Sequence, residues 1–305
     1  YFHAQARELM GDMAGAVALL DKAGLAPGGD WDNYPFAKHR SFAENFPVWQ
    51  DHARLRGVPP IPVVSLPKSG SSFICTLLHE VLFVTWCRTA KAGLCRGRIV
   101  PSWLRALMRG GATTHDHYPA SAENRAALEA QEVKRLFVQL RHPAGMALSL
   151  ARHLEQKRPA DLHPYLRDVA VRRPEGAETW ERDALRSFCL RTFYRPALAF
   201  CESWLDYREA GPLDIRIGTQ EAMDGDPAAS LREIDRLFDL GLGAGRLDAE
   251  AASARKGAAA QGAHNLASGQ RLRWQDAFGT EDRDFMASFD TSPVFPAFGW
   301  EKGGG

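Results

Sequence analysis

The chain has 305 residues, of which 45% are hydrophobic and 25% charged, so its composition is that of an ordinary globular protein. Its formal net charge is only +1, which excludes recruitment of nucleic acid or of an anionic membrane by a global electrostatic field. Any anionic ligand must therefore be held by cations that the fold groups locally.

The cysteines and the apolar runs exclude further classes of protein. The five cysteines lack the paired C-x-x-C spacing of zinc or redox sites, so we expect reduced thiols, no metal site and a cytoplasmic protein. No apolar run reaches the ~18 residues of a membrane span. The sequence begins with Tyr1 rather than Met. We therefore expect either part of a longer chain, with an upstream signal or anchor lost, or a trimmed sequence.

In chain order, residues 1–57 are predicted to form a helical lead-in segment, and residues 58–302 the main domain. The polar helical pattern of the first part ends at the breaker sequence G-V-P-P, residues 57–60. The apolar run at residues 61–66 then predicts a first, fully buried strand.

Three further apolar runs, at residues 112–115, 136–140 and 213–217, predict strands separated by helices. Helices are predicted at residues 71–81, 121–132 with Ser121 as N-cap, 143–156 and 178–207, the last with an aromatic row typical of a core. Another helix opens at Asp226-Pro227 and ends near Leu240. This alternation predicts an α/β fold with a parallel, doubly wound sheet.

Residues 241–263 are rich in Gly and Ala and show no periodicity. They are predicted to form a mobile loop that carries a basic triplet, Arg255-Lys256-Gly257. The acceptor of any reaction is expected to be bound by variable segments such as residues 88–110 and 161–178.

The strongest functional signal is the loop L-P-K-S-G-S-S-F at residues 66–73, between a buried strand and a helix. Backbone N–H groups at a helix start, a glycine that lets the loop curl, serine hydroxyls and the Lys68 ammonium can together surround a phosphate. The lysine precedes the glycine, whereas in a Walker A loop it follows the last glycine, so ATP binding is disfavoured.

A second signal is L-R-H-P at residues 140–143, followed by a helix that carries Ser149. P-loop NTPases often place an acid at the end of a neighbouring strand to organise Mg²⁺, but here the residue is Arg141. Its guanidinium and the Ser149 hydroxyl suit a second phosphate. The pattern predicts a site for a nucleotide with two separated anionic groups and no required metal.

These motifs resemble those of the sulfotransferases that use 3′-phosphoadenosine-5′-phosphosulfate (PAPS). Residues 67–73 resemble the family's P-K-S-G-T-T-W loop for the 5′-phosphosulfate, and residues 137–149 its 3′-phosphate segment. Arg255-Lys256-Gly257 resembles its late R-K-G loop, Trp274 and Phe278 its W-x-x-x-F element, and residues 216–221 its R-Y-E-D-L strand end. The distance from Gly257 to Trp274 is longer than in the family's pattern.

The resemblance implies a P-loop-like parallel sheet flanked by helices and a set of donor-binding residues. These are Lys68, Ser69, Gly70, Ser71, Ser72, Phe73, Arg141, Ser149, Arg255, Lys256 and Gly257, with PAPS as donor and 3′-phosphoadenosine-5′-phosphate (PAP) as product. Lys68 is also expected to stabilise the leaving phosphate.

The general base is expected among two histidines in T-H-D-H-Y-P, residues 114–119. The Thr-His pair of the family's K-T-H-x-P segment selects His115, and the distance to proline selects His117. His115 is slightly preferred because it is predicted to lie directly at a strand end. Asp116 is not expected to orient either imidazole, because neighbouring side chains on a strand point to opposite faces.

The predicted function is transfer of a sulfuryl group to a hydroxyl or amine of an unidentified small-molecule, lipid or glycan acceptor. Two alternatives remain open at the level of sequence. One is a P-loop kinase or other nucleotide-dependent phosphotransferase; the other is a non-catalytic module that keeps the nucleotide pocket and binds a glycan or a protein.

Overall fold

A computed structural model of the protein describes residues 50–91, 93–156, 181–260 and 273–303, without the side chains of residues 156 and 255–260. Most of the predicted lead-in segment and residues 161–178 lie outside the described residues; residues 50–55 are helical. The described strands are β1 (Val63–Ser65), β2 (Thr85–Trp86), β3 (Ala90–Lys91), β4 (Arg98–Ile99), β5 (Ala112–Thr113), β6 (Arg135–Leu140) and β7 (Asp214–Thr219).

The helices with assigned bounds alternate with these strands. They are α1 (Ser71–Leu82), α2 (Pro101–Leu107), α3 (Ala122–Ala130), α4 (Pro143–Gln156), α5 (Arg182–Ala210), α6 (Gln220–Gly225), α7 (Ala229–Phe238), α8 (Ala244–Ala260), α9 (Trp274–Ala277), α10 (Thr280–Ala287) and α11 (Val294–Phe298). Ser121 caps α3 as predicted, because its side chain accepts a hydrogen bond from the Asn124 amide.

The central sheet is parallel, with strand order β1-β6-β7. A second parallel pair, β2 with β5, joins its edge through bridges from Ile61 to Thr113 and from Val64 to Asp116. The carboxyl ends of β1, β5, β6 and β7 therefore lie along one edge, which is where ligands bind in open α/β sheets. The predicted α/β fold with a parallel sheet is confirmed.

Both faces of the sheet are buried, which explains the continuous apolar runs in its strands. Val64 and Val138 face one hydrophobic cluster, and Val63 and Phe137 face another. On the first face α4 packs against α5, and the predicted aromatic row of α5 lies in the core, with Trp204 fully buried. None of the described helices is long and apolar enough to cross a membrane.

The prediction of a loop at residues 241–263 is wrong for residues 244–260, which form α8. Residues 261–263 lie outside the described part of the chain. Alanine has the highest helix propensity, and the segment is rich in it. Leu247 and Ala251, one helical turn apart, are buried and pack near α1. This packing stabilises a helix whose apolar stripe is too narrow to show as periodicity.

Several predicted boundaries shift by a few residues, for example those of two strands and a helix. The strand predicted at residues 112–115 ends at Thr113, so His115 lies beyond it. The strand predicted at residues 213–217 continues to Thr219. The helix predicted to open at Asp226-Pro227 and to end near Leu240 runs from Ala229 to Phe238, and its C-cap residue, Asp239, is in the left-handed conformation.

Candidate functional site

The loop between β1 and α1 has a conformation that requires glycine at its end. Gly70 is the N-cap residue of α1 and has φ of 86°. A Cβ at this position would contact the Gln220 amide and lie 2.9 Å from Met223 Cε. Lys68 also has positive φ, 66°, so the loop curls tightly under the start of the helix.

Side chains beneath the loop hold it in place. The buried Ser69 hydroxyl lies 2.6 Å from the Leu66 carbonyl oxygen and 3.0 Å from that of Gln139, and donates to this pair of acceptors. The Gln139 amide donates to the Ser69 carbonyl at 3.1 Å, and the Ser230 hydroxyl donates to Gln139 Oε1 at 2.9 Å. The predicted ligand residue Ser69 thus uses its hydroxyl within the protein.

The first turn of α1 presents the remaining predicted loop residues. Gly70, as the N-cap residue, has no side chain that could accept from the first amides of α1, and these amides have no partner four residues earlier in the helix. The Ser71 hydroxyl lies 3.5 Å from His115 Nδ1, and the Ser72 side chain is exposed. The Phe73 ring packs into the core near Leu247, so this predicted binding residue contributes packing rather than a polar contact.

One face of α4 carries a row of residues that runs along Lys68 and Arg141. Gly145, Ser149 and His153 are spaced four residues apart and so share a helix face. A Cβ at position 145 would lie 3.0 Å from Arg141 Nε, so the glycine makes room for the guanidinium. At the other end, His153 Nδ1 lies 3.4 Å from Lys68 Nζ. Ser149 lies on the same face of the helix, midway in sequence between Gly145 and His153.

Lys68 and Arg141 are in direct contact. The Arg141 guanidinium donates a hydrogen bond of 2.9 Å to the carbonyl oxygen of Lys68. Burial, and secondarily the charge of Arg141, lower the pKa of Lys68 to about 8. The structure therefore brings these two residues, 73 positions apart in sequence, into contact with each other, and His153 into contact with Lys68.

A buried hydrogen-bond network lies directly behind Arg141. The His142 amide donates to Glu221 Oε1 at 3.0 Å, and the Trp300 indole donates to Glu221 Oε2 at 3.1 Å. His142 Nε2 donates to the Glu301 carbonyl at 3.0 Å, and the imidazole stacks on Trp274 with 4.4 Å between ring centroids. The C-terminal segment is thereby attached to the strand end that carries Arg141.

This network should make stability depend on pH. Burial, with a smaller contribution from Arg141, lowers the pKa of His142 to about 4, so the unfolded state binds more protons between about pH 6.5 and pH 4. Stability from His142 is full above this range and is lost as the pH falls through it. Burial raises the pKa of Glu221, which acts in the opposite direction.

We expect His142 to contribute a loss of about 2 kcal/mol in the free energy of unfolding between pH 7 and pH 5. Urea unfolding at the two pH values measures the total change, and the variant His142→Gln isolates the part due to this imidazole, since Glu221 remains in both proteins. Equal pH dependence in the variant and the parent would contradict the assignment.

The two candidate bases lie next to the loop on the segment after β5. His117 Nδ1 lies 2.8 Å from the Ser65 carbonyl oxygen, and His115 packs against Trp86 with 4.2 Å between ring centroids. The two imidazole centroids are 6.0 Å apart. Asp116 accepts hydrogen bonds from the hydroxyls of Thr89 and Thr114.

The predicted R-K-G triplet lies in a helix. Arg255, Lys256 and Gly257 are part of α8 rather than of a loop, and no side-chain position is described for them, so their contact with a nucleotide stays a prediction.

His153 was not among the residues predicted from the sequence. Its spacing of four residues from Ser149 could have identified it. Within the described residues no cluster of three His, Cys, Asp or Glu side chains is placed to hold a metal ion.

The chain was compared with known proteins. No protein-family model and no curated protein matches it. Among solved structures it is similar to mouse sulfotransferase SULT7A1, crystallised with PAP, with 16% identity, a TM-score of 0.54 and coverage of 78% of this chain and 86% of that one. A sulfotransferase from Alicyclobacillus acidocaldarius also matches, with 14% identity, a TM-score of 0.40 and coverage of 80% and 96%. The α/β architecture and the first of these similarities together show that this chain has the sulfotransferase fold.

Proposed function

We propose that this protein transfers a sulfuryl group from PAPS to a hydroxyl or amine of an acceptor. The observation that carries the proposal is the chain of contacts from Arg141 to Lys68 and from Lys68 to His153, on the loop that leads into the start of α1. Such an arrangement suits a ligand with one anionic group at the helix start and a second one a few ångströms away along α4.

The loop and the adjacent Arg141 fit the two ends of this donor. The amides at the start of α1 and the Lys68 ammonium would hold the 5′-phosphosulfate, and Arg141 with Ser149 the 3′-phosphate. Without a ligand, burial and the charge of Arg141 lower the pKa of Lys68. An anion bound beside the ammonium would raise this pKa again and so favour the charged form of the lysine. The carbonyl contact from Arg141 to Lys68 couples the positions of the two groups.

In-line sulfuryl transfer places three demands on the protein, as phosphoryl transfer does: alignment, stabilisation of the leaving group, and removal of a proton. Lys68 would stabilise the negative charge that develops on the departing phosphate oxygen. An imidazole would take the proton from the acceptor hydroxyl as its oxygen bonds to sulfur.

His117 is the better candidate for the base. His117 Nδ1 lies 2.8 Å from the Ser65 carbonyl oxygen, which can only accept, and 3.1 Å from the Ser65 hydroxyl, whose own proton faces the His115 carbonyl. These contacts favour the neutral tautomer with the proton on Nδ1 and the lone pair on Nε2. His115 Nδ1 faces the Ser71 hydroxyl, which can donate or accept and leaves its tautomer unspecified. The preference for His115 rested on a strand end that lies two residues earlier.

A thermal-shift experiment tests the donor. PAP should raise the melting temperature by about 5 °C at about 100 times its dissociation constant, because a ligand that binds only the native state stabilises it. ATP with magnesium should give a much smaller shift, since the strand end carries Arg141 where a P-loop kinase would need an acid. Equal stabilisation by ATP and magnesium would refute the proposal in favour of a kinase.

The variant Arg141→Ala tests the proposed binding site for the 3′-phosphate. The parent should bind PAP about 10 to 100 times more tightly than adenosine 5′-phosphate, and the variant should lose this preference, because charge-assisted hydrogen bonds to the 3′-phosphate are removed. Arg135→Ala is the matched control, since Arg135 lies at the opposite end of β6 and pairs with Asp239. Unchanged discrimination in Arg141→Ala would show that the assignment is wrong.

A further inference from the structure

The segment from residue 81 to residue 115 has an excess of basic residues. It contains six basic residues and no Asp or Glu, although the whole chain carries 38 basic and 37 acidic residues. All six are exposed: Arg88, Lys91, Arg96, Arg98, Arg105 and Arg109. A local excess of exposed positive charge in a nearly neutral chain favours an anionic partner at this surface.

Two of these cations oppose each other across a short hairpin. Strands β3 and β4 are antiparallel, and Lys91 is the direct partner of Arg98, while Ala90 and Ile99 point into the core. Like charges directly opposite each other on a sheet face are destabilising. A bound anion would turn this repulsion into two favourable contacts.

One carboxylate lies near this pair. Hydrogen bonds from its own backbone amide and from Ser121 lower the pKa of Glu123, and Arg98 makes a smaller contribution. Glu123 is fully exposed, so solvent screens its interaction with Arg98. The hairpin therefore keeps most of its positive charge for a ligand.

The hairpin is attached at both of its strands to the segment that carries the candidate bases. On one strand, the Ala90 amide donates to Asp116 Oδ2 at 3.0 Å. On the other, the Gly97 amide donates to the His117 carbonyl at 3.0 Å, and any side chain at position 97 would collide with that oxygen. The backbone of the hairpin that carries Lys91 and Arg98 is therefore fixed against the backbone of the segment that carries His117.

The same segment exposes two indole rings. The side chains of Trp86 and Trp103 are 44% and 41% exposed. Among the described residues, these two are the exposed large hydrophobic side chains. Trp86 packs against His115. An exposed aromatic ring in a segment rich in cations suits a ligand that has an apolar ring face and charged substituents.

We propose that the acceptor is an anionic saccharide, whose carboxylate or sulfate groups are bound by Lys91 and Arg98 and whose ring packs on Trp86. A saccharide combines the hydroxyl that the reaction consumes, the negative charge and the apolar ring face in one unit. This inference rests on the proposed function, since it takes His117 as the position that the acceptor hydroxyl must reach.

The test measures binding rather than turnover. Calorimetric titration of protein saturated with PAP uses an unsulfated chondroitin tetrasaccharide, which carries glucuronate carboxylates, and its carboxyl-reduced, uncharged counterpart. The parent should prefer the charged form, and Lys91→Gln with Arg98→Gln should weaken its binding about tenfold. The matched control is Lys134→Gln with Arg135→Gln, which removes the same charges at the opposite edge of the sheet.

The double variant should melt no lower than the parent, because the opposed like charges are gone. Equal affinity of the parent for the two tetrasaccharides, or equal losses in the two double variants, would overturn the inference. So would tighter binding of a tyrosine peptide flanked by glutamates. If PAP fails to bind the parent, the proposed function fails; if PAP binds parent and variant alike while the saccharides are not distinguished, only the acceptor inference fails.

Discussion

Replacing Lys68 with alanine is expected to lower the rate of sulfuryl transfer by about 10²–10³-fold, while the affinity for PAP changes far less. The ammonium would act mainly on charge that develops in the transition state, whereas the helix start and Arg141 would hold the bound nucleotide. Single-turnover kinetics with radiolabelled donor separate the chemical step from binding.

The variant Lys68→Arg distinguishes a catalytic charge from a structural role. Because the pKa of Lys68 is lowered to about 8, kcat/KM of the parent should fall as the pH rises through that value and the ammonium loses its proton. Arginine stays charged, so Lys68→Arg should retain measurable activity and lose this alkaline decline. A rate loss that Lys68→Ala shares with the control Lys134→Ala would contradict the role.

Replacing His117 with alanine is expected to lower kcat by about 10²–10⁴-fold, because the variant lacks the group that accepts the proton of the acceptor hydroxyl. His115→Ala is the matched comparison: it removes the same side chain two positions away and should cost less than His117→Ala. The hydrogen bond of His117 to Ser65 specifies the tautomer that a base needs.

An acceptor must be identified before these rates can be measured. Incubation with radiolabelled PAPS and a crude metabolite or glycan extract, followed by identification of the labelled product, supplies one. A larger loss in His115→Ala than in His117→Ala would transfer the role of base to His115. Full activity in both variants would mean that the proton is removed by another group.

Much of the fold was readable from local patterns. The continuous apolar run of β6 predicted a strand buried on both faces, and its neighbours Val63 and Val64 do face different clusters. Helix α4 has the predicted bounds, because proline at its start and a long apolar periodicity are both local signals. The alanine-rich α8 was missed, since its packing against α1 joins segments more than 160 residues apart.

Some features of the candidate site were also readable from the sequence, and others appear only in the structure. Its loop, its strand-end arginine and its pair of histidines were recognised from residue type and order alone. The proposed choice of His117 over His115 needed the contact with the Ser65 carbonyl, and the position of His153 beside Lys68 appears only in the structure. Likewise, the attachment of Trp300 and Glu301 behind Arg141 joins elements that no sequence spacing relates.

The sequence by itself thus determined the parallel α/β fold, and it predicted a loop suited to an anion and the type of chemistry that its residues suit. Only the tertiary structure decided which side chains meet: Lys68 with Arg141 and His153, and the Lys91–Arg98 hairpin with the His117 segment. The physical reason is that periodicity, capping and turn chemistry act between near neighbours in the chain. Contacts across the sheet edge depend instead on how whole elements pack, and no local pattern encodes that.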